Sequence, residues 1–554
     1  MTPEAGKPSC REDFPQAQAV KPRDVLQTRR EVKSTEASSL STKEHAHSSR
    51  HCLKGHVEPW RHCHEQVRPL VRRRPSGAAG PPGHGPRPAR RLAGRGYRLR
   101  LSAHPAGRHH APASSGRDPR LPRRSRRHGS RGEHGAGHCA WPGRPATRGR
   151  TPARALQQPS LKESRVPANT RIYGEHDEKT IRQLDRCMEA GSAFKGVLCA
   201  DGHLGYAHPI GGVVAYEEHI SISGVGFDIA CGNMAVRLDT RYEDIAAQAG
   251  RILSDIGRSI SFGVGQKNAV KVDHELFDST LWDEAGARDL KTMARQQLGT
   301  VGSGNHYVDL FEDEEGFVWI GVHFGSRGLG HRITTKHLAL VGANDGMEVE
   351  PALVHQDSEV GQSYLAGVKL GGLYAYAGRE WVVERVRWII GGQITDSVHN
   401  HHNFVWRESH GGRDYWVVRK GATPAFPGQR GFVGGSMGDN AVILQGVDSP
   451  ESADSLYSTV HGAGRLFGRM DAKGKKNKAG QWTRPPRFTR DEMDAWLREK
   501  GIILRGGDVD ESPMVYRRLE DVLAYHKGTV EVEHTLRPFA VAMAGPAEFD
   551  PYKD

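Results

Sequence analysis

From about Val166 onward, apolar positions recur with the spacing of regular structure; before it they do not. The stretch DEKTIRQLDRCMEAG sets Ile181, Leu184, Cys187 and Met188 on one face, opens with acids and stops at Gly191. That pattern predicts an amphipathic helix. WVVERVRWIIGGQIT predicts a buried helix. DEMDAWLREKG and DESPMVYRRLEDVLAYHKG predict capped helices that end at glycine. VWIGVHFGS and DYWVVRKGA predict strands, as do HISIS and MAVRL on either side of the turn GVGFDIACG. Residues 472–488, AKGKKNKAGQWTRPPRF, predict a mobile basic loop. Helices and strands are mixed without regular βαβ alternation, and no internal repeat is present. The predicted class is therefore α+β, one large mixed domain over residues 165–546 followed by a short tail, 547–554.

Charge divides the chain in the same place. The net charge is +13, yet residues 1–150 hold 32 Lys and Arg against 11 Asp and Glu, leaving 46 against 54 for the remainder. Residues 1–160 are rich in Arg, Pro, Gly, Ala, His and Ser and poor in apolar anchors, so they are expected to be disordered. Three origins fit this composition. It could be a basic arm for nucleic acid. It could be a zinc module using Cys52, His56, Cys63 and His64, although that spacing matches no strong pattern. The third, a mis-assigned start or a frameshift in a GC-rich gene, best accounts for the absence of lysine between Lys54 and Lys162.

Seven cysteines in 554 residues do not make a disulfide framework. No apolar run approaches 18 residues, and the N-terminus lacks the apolar core of a secretory signal. A cytoplasmic protein with no membrane partner is expected. Nothing in the sequence sets the oligomeric state, and a monomer is the default.

Chemistry-bearing residues cluster in glycine-rich turns between apolar segments. GVGFDIACG places Asp228 and Cys231 three apart, where a carboxylate and a thiolate can face one point. A buried structural cysteine beside a turn-forming aspartate is the simpler alternative. GSGNH presents Asn305 and His306, and HFGSRGLGH presents His323 at a strand end. HNHHNF offers His399, His401 and His402 with Asn400 and Asn403, and HGAGR offers His461 with Arg465. Asp, Cys and three His suit Mn, Fe, Co or Zn, and a single thiolate can bridge two ions at a phosphoryl-transfer site. RKGATPAFPGQRGFVGGSMGDN adds Lys420, Arg430 and Ser436 around turns whose amides can cradle phosphate.

Together with DGHLGYAHPIGGV and the DESPMVYRRLEDV segment, these motifs occur in an order that resembles the RtcB-like RNA ligase family from Val166 to Gly545. The resemblance implies an enzyme joining RNA 3′-phosphate or 2′,3′-cyclic phosphate ends to 5′-hydroxyl ends with GTP and Mn²⁺. It implies that Asp228, Cys231, His306, His323 and His402 hold two Mn²⁺ ions, the thiolate bridging them. His402 is preferred to His399 because the family motif has His directly before Asn and an aromatic residue. It also implies that His461 is the nucleophile that accepts GMP. Asn305, His306, Asp309, Asn403, Gly435, Ser436, Met437, His461, Gly462, Ala463 and Gly464 would hold the nucleotide. Two positions depart from the family: Asp309 stands where it usually has Glu, and Met543 where it has a lysine that reaches the guanine. The alternatives to sealing are a nucleotidyltransferase that caps 3′-phosphate ends and a metal-binding RNA-binding protein without turnover.

Overall fold

Asp177 caps the first predicted helix, Glu178–Glu189, its carboxylate accepting from the amides of Lys179 and Thr180. Those are two of the amides a helix start leaves unpaired. The computed structural model describes residues 169–546; the expected disordered segment 1–160 and the tail 547–554 lie outside the described residues. Leu184 and Cys187 of this helix are fully buried with Leu198, Val214 and Tyr216 of a five-stranded sheet. That sheet runs in the order Thr170–Ile172, Ala193–His203, Ile210–Tyr216, Arg413–Lys420, Asn403–His410. Its first pair is parallel and the others are antiparallel.

The larger sheet has eight strands. Its order is Arg430–Val433, Ala441–Gly446, Val530–Met543, Tyr307–Glu312, Phe317–His323, Gly232–Arg241, Ile394–His401. Along this path every pairing is antiparallel, and Ile503–Arg505 lies parallel to Val530–Met543. Antiparallel order brings the starts of Tyr307–Glu312 and Gly232–Arg241 to the same edge as the ends of Phe317–His323 and Ile394–His401. The candidate donors stand at these four strand ends.

The helix predicted from WVVERVRWII is the last third of one helix, Glu359–Ile390, 32 residues long and capped by Ser358. Its first half buries Tyr364, Val368 and Tyr374 in the cluster that contains Leu184; its second half buries Val382, Val383 and Val386 with the central sheet. Trp388 near its end is 75% exposed, so the helix is buried on one side only. DEMDAWLREKG forms Arg490–Glu499 with a reciprocal Thr489/Glu492 cap.

Two expectations change. DESPMVYRRLEDVLAYHKG yields two single-turn segments, Val509–Glu511 and Pro513–Val515, and only a six-residue helix, Leu519–Ala524. Pro513 has no amide to donate, and the carboxylates of Asp510 and Glu511 are drawn to Arg469. The predicted loop 472–488 contains the end of a short helix, Arg469–Lys473, and a hairpin, Lys475–Lys476 with Trp482–Arg484. Among the described residues, no helix is long and apolar enough to cross a membrane.

Arg419 joins the smaller sheet to the segment that precedes His461. Its fully buried guanidinium donates to both carboxylate oxygens of Glu408 at 2.6 and 3.1 Å. It also donates to Ser458 Oγ and the Leu456 carbonyl, both at 2.9 Å. Removing one member of a buried pair strands the other charge, at a cost of about 3–5 kcal/mol. Arg419→Met is expected to lower the unfolding free energy by about that amount, read from the urea midpoint. An unchanged midpoint would show that the pair does not hold this junction.

Candidate active site

Ser221 caps a short helix, Ile222–Val225, which ends at Gly226 with φ +76°. The chain then turns so that the Cys231 amide donates to the Asp228 carbonyl at 3.0 Å. Ala230 completes the reversal in the left-handed region, φ +57°, so the turn does not depend on glycine alone. Glycine is required where other segments press in. A Cβ on Gly325 would sit 2.3 Å from Asp228 Oδ1, and one on Gly232 would sit 2.2 Å from the Asn400 carbonyl.

Antiparallel register delivers the donors. Asn233 pairs with His323, Gly232 with His401, and Tyr307 with His323. Cys231, His306 and His402 each adjoin one of these paired residues. Cys231 Sγ lies 3.6 Å from Nε2 of His306 and 3.6 Å from Nε2 of His323. Asp228 Oδ2 is 3.0 Å from His306 Nε2. Two donor groups result, Asp228/Cys231/His306 and Cys231/His323/His402, in each of which the ligand atoms lie within 4.8 Å of one another. Cys231 belongs to both.

Burial sets the protonation of this cluster. Cys231 is pushed well above the usual thiol range by burial and then by the adjacent Asp228 carboxylate. Burial holds His323 and His402 well below the ordinary imidazole range, so both rings are neutral at pH 7. Burial raises the Asp228 carboxyl, but the hydrogen bond and charge of His306 outweigh it and bring it to about 2. His402 Nδ1 is buried with no hydrogen-bond partner.

Asn233, fully buried, fixes the tautomer of His323. Its Nδ2 donates to the Phe432 carbonyl at 2.8 Å. A carbonyl only accepts, so the amide nitrogen faces Phe432 and Oδ1 faces His323. Oδ1 is 2.6 Å from His323 Nδ1. Nδ1 therefore carries the ring proton, and the lone pair of Nε2 faces Cys231.

Behind the cluster lies Arg379, on the long helix and fully buried. Its Nη1 donates to the carbonyls of Ala230 and Phe324 at 3.0 and 2.6 Å. Its Nε donates to His399 Nε2 at 2.8 Å, and Nη2 lies 3.1 Å from His401 Nδ1. His399 is thus occupied as a support and lies in neither donor group, whereas His402 does lie in one.

A cleft opens on this edge. It is lined by Asn305, Asp309, His323, Gly435, Ser436, Met437, His461, Gly462, Ala463 and Gly464 among the expected residues, and by Met543. His306 stands behind the wall in the donor cluster, and its Nδ1 is 3.3 Å from Arg327 Nη1. Asn403 is not on the cleft: its Nδ2 donates to the Asp228 carbonyl and its Oδ1 accepts from the Gly421 amide, so both amide atoms are used in joining loops. Lys420 is buried against the carbonyls of Tyr206 and Ser223, and Arg430 pairs with Asp396 and Glu533. Neither lines the cleft. Ser436 Oγ donates to Asp439, which Arg518 holds in turn.

His461 follows the strand Ser458–Val460 and meets Asp201, a residue to which no sequence motif gave a role. Asp201 is fully buried, and its Oδ2 accepts from the amides of His461 and Gly462 at 2.9 and 3.3 Å. The same oxygen is 2.5 Å from His461 Nδ1. Burial raises the Asp201 carboxyl, but His461 outweighs it and keeps Asp201 ionised. The contact is at ion-pair distance without hydrogen-bond alignment; a carboxylate there favours the proton on Nδ1, which leaves the lone pair on Nε2. The available signal is an acid, Asp201, directly after the apolar run of residues 197–200, which burial permits only with a partner. His203 also lines the cleft, its ring 6.3 Å from that of His461.

Asp309 Oδ1 is buried without a partner, and burial pushes this carboxyl well above the usual range. Met543 lies in an apolar cluster with Met437, Met493, Leu497 and Ile502. The cleft wall at Met543 is therefore apolar, with the carboxyl of Asp309 nearby.

The sequence profile described as tRNA-splicing ligase RtcB matches residues 183–291 and 282–544. The RNA-splicing ligase RtcB of Escherichia coli (strain K12) is 31% identical over 389 residues, covering 64% of this chain and 92% of that protein. The tRNA-splicing ligase RtcB of Thermococcus kodakarensis is 28% identical over 476 residues, covering 69% of this chain and 95% of that protein. The RNA-splicing ligase RtcB homolog 1 of Entamoeba dispar is 28% identical over 426 residues, covering 62% and 77%. The profile match runs from the first helix to Ala544 and takes in the turn at Cys231, every donor-bearing strand end and His461. The chain belongs to the tRNA-splicing ligase RtcB family.

Proposed function

We propose that this chain is an RNA ligase that joins 3′-phosphate or 2′,3′-cyclic phosphate ends to 5′-hydroxyl ends, using GTP and two Mn²⁺ ions. The observation that carries the reading is the position of His461, backed by Asp201, in a cleft that also contains His323 of the donor cluster. The donors suit a pair of metal ions: one thiol shared between two groups, neutral imidazoles, an ionised carboxylate, and an unpartnered His402 Nδ1. Asp228, Cys231 and His306 would hold one ion, and Cys231, His323 and His402 the other. Bound there, the ions would neutralise phosphate charge and orient the in-line groups.

The chain's own groups supply the rest. Nε2 of His461 attacks the α-phosphorus of GTP, a P–N bond forming as the bond to pyrophosphate breaks. Asp201 stabilises the positive charge that the ring then carries. A 2′,3′-cyclic end first takes up water, which breaks the P–O2′ bond and leaves a 3′-phosphate; an oxygen of the RNA 3′-phosphate next takes the GMP, breaking the P–N bond and restoring the imidazole. The 5′-hydroxyl attacks the activated 3′-phosphorus, and GMP leaves. Among the neutral donors on the cleft wall, the Gly462 amide already donates to Asp201 and the Ser436 hydroxyl to Asp439, so the amides of Ala463 and Gly464 are the ones that would meet phosphate. Met543 cannot donate a hydrogen bond to the base, so base reading falls to Asp309, which lines the cleft and whose Oδ1 has no partner.

The test is covalent labelling with α-labelled GTP and Mn²⁺, followed by a 3′-phosphate/5′-hydroxyl RNA pair. Labelling and joining are both expected, with an adduct that is acid-labile and alkali-stable. Labelling without joining would favour the capping alternative, and no labelling would contradict both. His461→Ala is expected to abolish the adduct while retaining bound metal. Asp201→Asn is expected to slow adduct formation by about 10²–10⁴-fold, since the ring loses the group that fixes its tautomer.

Asn233 acts on the metal rather than on the nucleotide. Outer partners of metal-binding histidines typically contribute 10–100-fold in affinity. Asn233→Leu removes the acceptor for His323 and is expected to weaken Mn²⁺ binding by about that factor in calorimetry. Asn233→Asp keeps an acceptor and is expected to retain most of the affinity. Equal affinities in both variants would show that the amide does not orient the ring.

A further inference from the structure

The 472–488 segment carries six cations, Lys473, Lys475, Lys476, Lys478, Arg484 and Arg487, and no acid. Its base is built firmly. Lys473 pairs with Asp508 and Arg484 with Asp471. The Arg487 guanidinium lies 3.7 Å from the centre of the Phe467 ring, and its amide donates to the Ala472 carbonyl at 3.0 Å. The tip is ordered by Asn477, whose Oδ1 accepts from the amides of Ala479 and Gln481, both at 3.0 Å. The two pairs at the base use two cations. Lys475, Lys476 and Lys478 pair with no carboxylate among the described residues. Between them Trp482 stands 49% exposed, with Lys476 Nζ 4.4 Å from its ring centre.

Lysines on an exposed strand edge also deter edge-to-edge pairing, but an exposed indole beside them invites contact. Unpaired cations next to an accessible aromatic face match a single nucleic-acid strand, whose phosphates take the charges and whose bases stack. The position fits as well. The hairpin continues from Arg469–Lys473, and Arg469 packs so close over Gly304 that a Cβ there would lie 2.9 Å from its Nη2. Gly304 immediately precedes Asn305 and His306. Arg469 also pairs with Glu511, which lines the cleft. The hairpin thus begins at Lys475, six residues after a side chain that touches the cleft wall, with about 6 Å of helix rise from Arg469 to Lys473 and then Gly474 between them.

We propose that the Lys475–Arg484 hairpin grips single-stranded RNA beside the reacting end, with Lys475, Lys476 and Lys478 on phosphates and Trp482 under a base. The choice of RNA rests on the ligase reading. The test uses the full chain and a fluorescent 12-nucleotide RNA ending in a 3′-phosphate, by anisotropy without GTP or metal, across a salt series. The triple variant Lys475→Gln/Lys476→Gln/Lys478→Gln is expected to bind about 10–100-fold more weakly at low salt. Its log–log salt slope should be smaller by about 2, at roughly 0.7 for each phosphate no longer neutralised. Trp482→Ala is expected to bind about 5–100-fold more weakly with the slope unchanged, the loss of one stacked base. Both should form the GTP adduct at the wild-type rate. Wild-type RNA affinity and slope in the triple variant would overturn the proposal, as would a wild type that does not bind the RNA. Absence of the GTP adduct from wild type, with RNA binding still hairpin-dependent, would overturn the ligase reading and leave the clamp standing.

Discussion

One buried guanidinium holds the working edge of the molecule together. Among the described residues Arg379 has no carboxylate partner; it binds two carbonyls, Ala230 O and Phe324 O, and two imidazoles, His399 and His401. Those four groups belong to the turn before one strand and to the ends of two others. Burial lowers its own pKa to about 10, so it remains charged at neutral pH. A charged group in that position satisfies strand-end carbonyls that would otherwise be buried unpaired. It also forces His399 and His401 to present lone pairs to it, which reserves His402 and His323 for the shared thiol. The convergence of Asp228, Cys231, His306, His323 and His402 follows from antiparallel register, and Arg379 keeps the register's ends in place.

The division of labour between the two donor systems is physical. The thiol cluster is buried, which holds the His323 and His402 rings neutral and raises the Cys231 thiol. The Asp201–His461 pair sits on the cleft wall, at the end of a strand anchored through Arg419 to the other sheet. One assembly is built from the central sheet and the other from the smaller sheet and its neighbours. His461 and His323 bring the two together on one cleft. Asp309 and Met543 line the same cleft from adjacent strands; Met543 makes that wall less polar than a lysine would, and Asp309 reaches one methylene less far than a glutamate.

Much of this was legible in the sequence, for identifiable reasons. Each donor stands at a strand end beside small residues, so Asp228, Cys231, His306, His323 and His402 stood out against their apolar flanks. Resemblance then supplied what spacing could not, the pairing of strands far apart in the chain. Asp201 and Asn233 were passed over because their roles depend on a partner 260 and 90 residues away, respectively. Asn403 is expected to hold ligand, and the backbone around it adds a second role, since Asp228 and Gly421 each take one bond from its amide. Helix extents were misjudged where tertiary contacts outweigh local pattern. Glycines at 367, 371 and 372 masked the first part of the long helix, and Pro513 with the charges of Asp510 and Glu511 cut another short.

The central claim is that Cys231 serves two cations at once. Anomalous diffraction at the manganese edge, from crystals of the full chain grown with Mn²⁺, tests it directly. The account predicts two peaks that share Cys231 Sγ, one also bonded to Asp228 and His306 and the other to His323 and His402. A single peak, or two peaks of which only one contacts the sulfur, would contradict it.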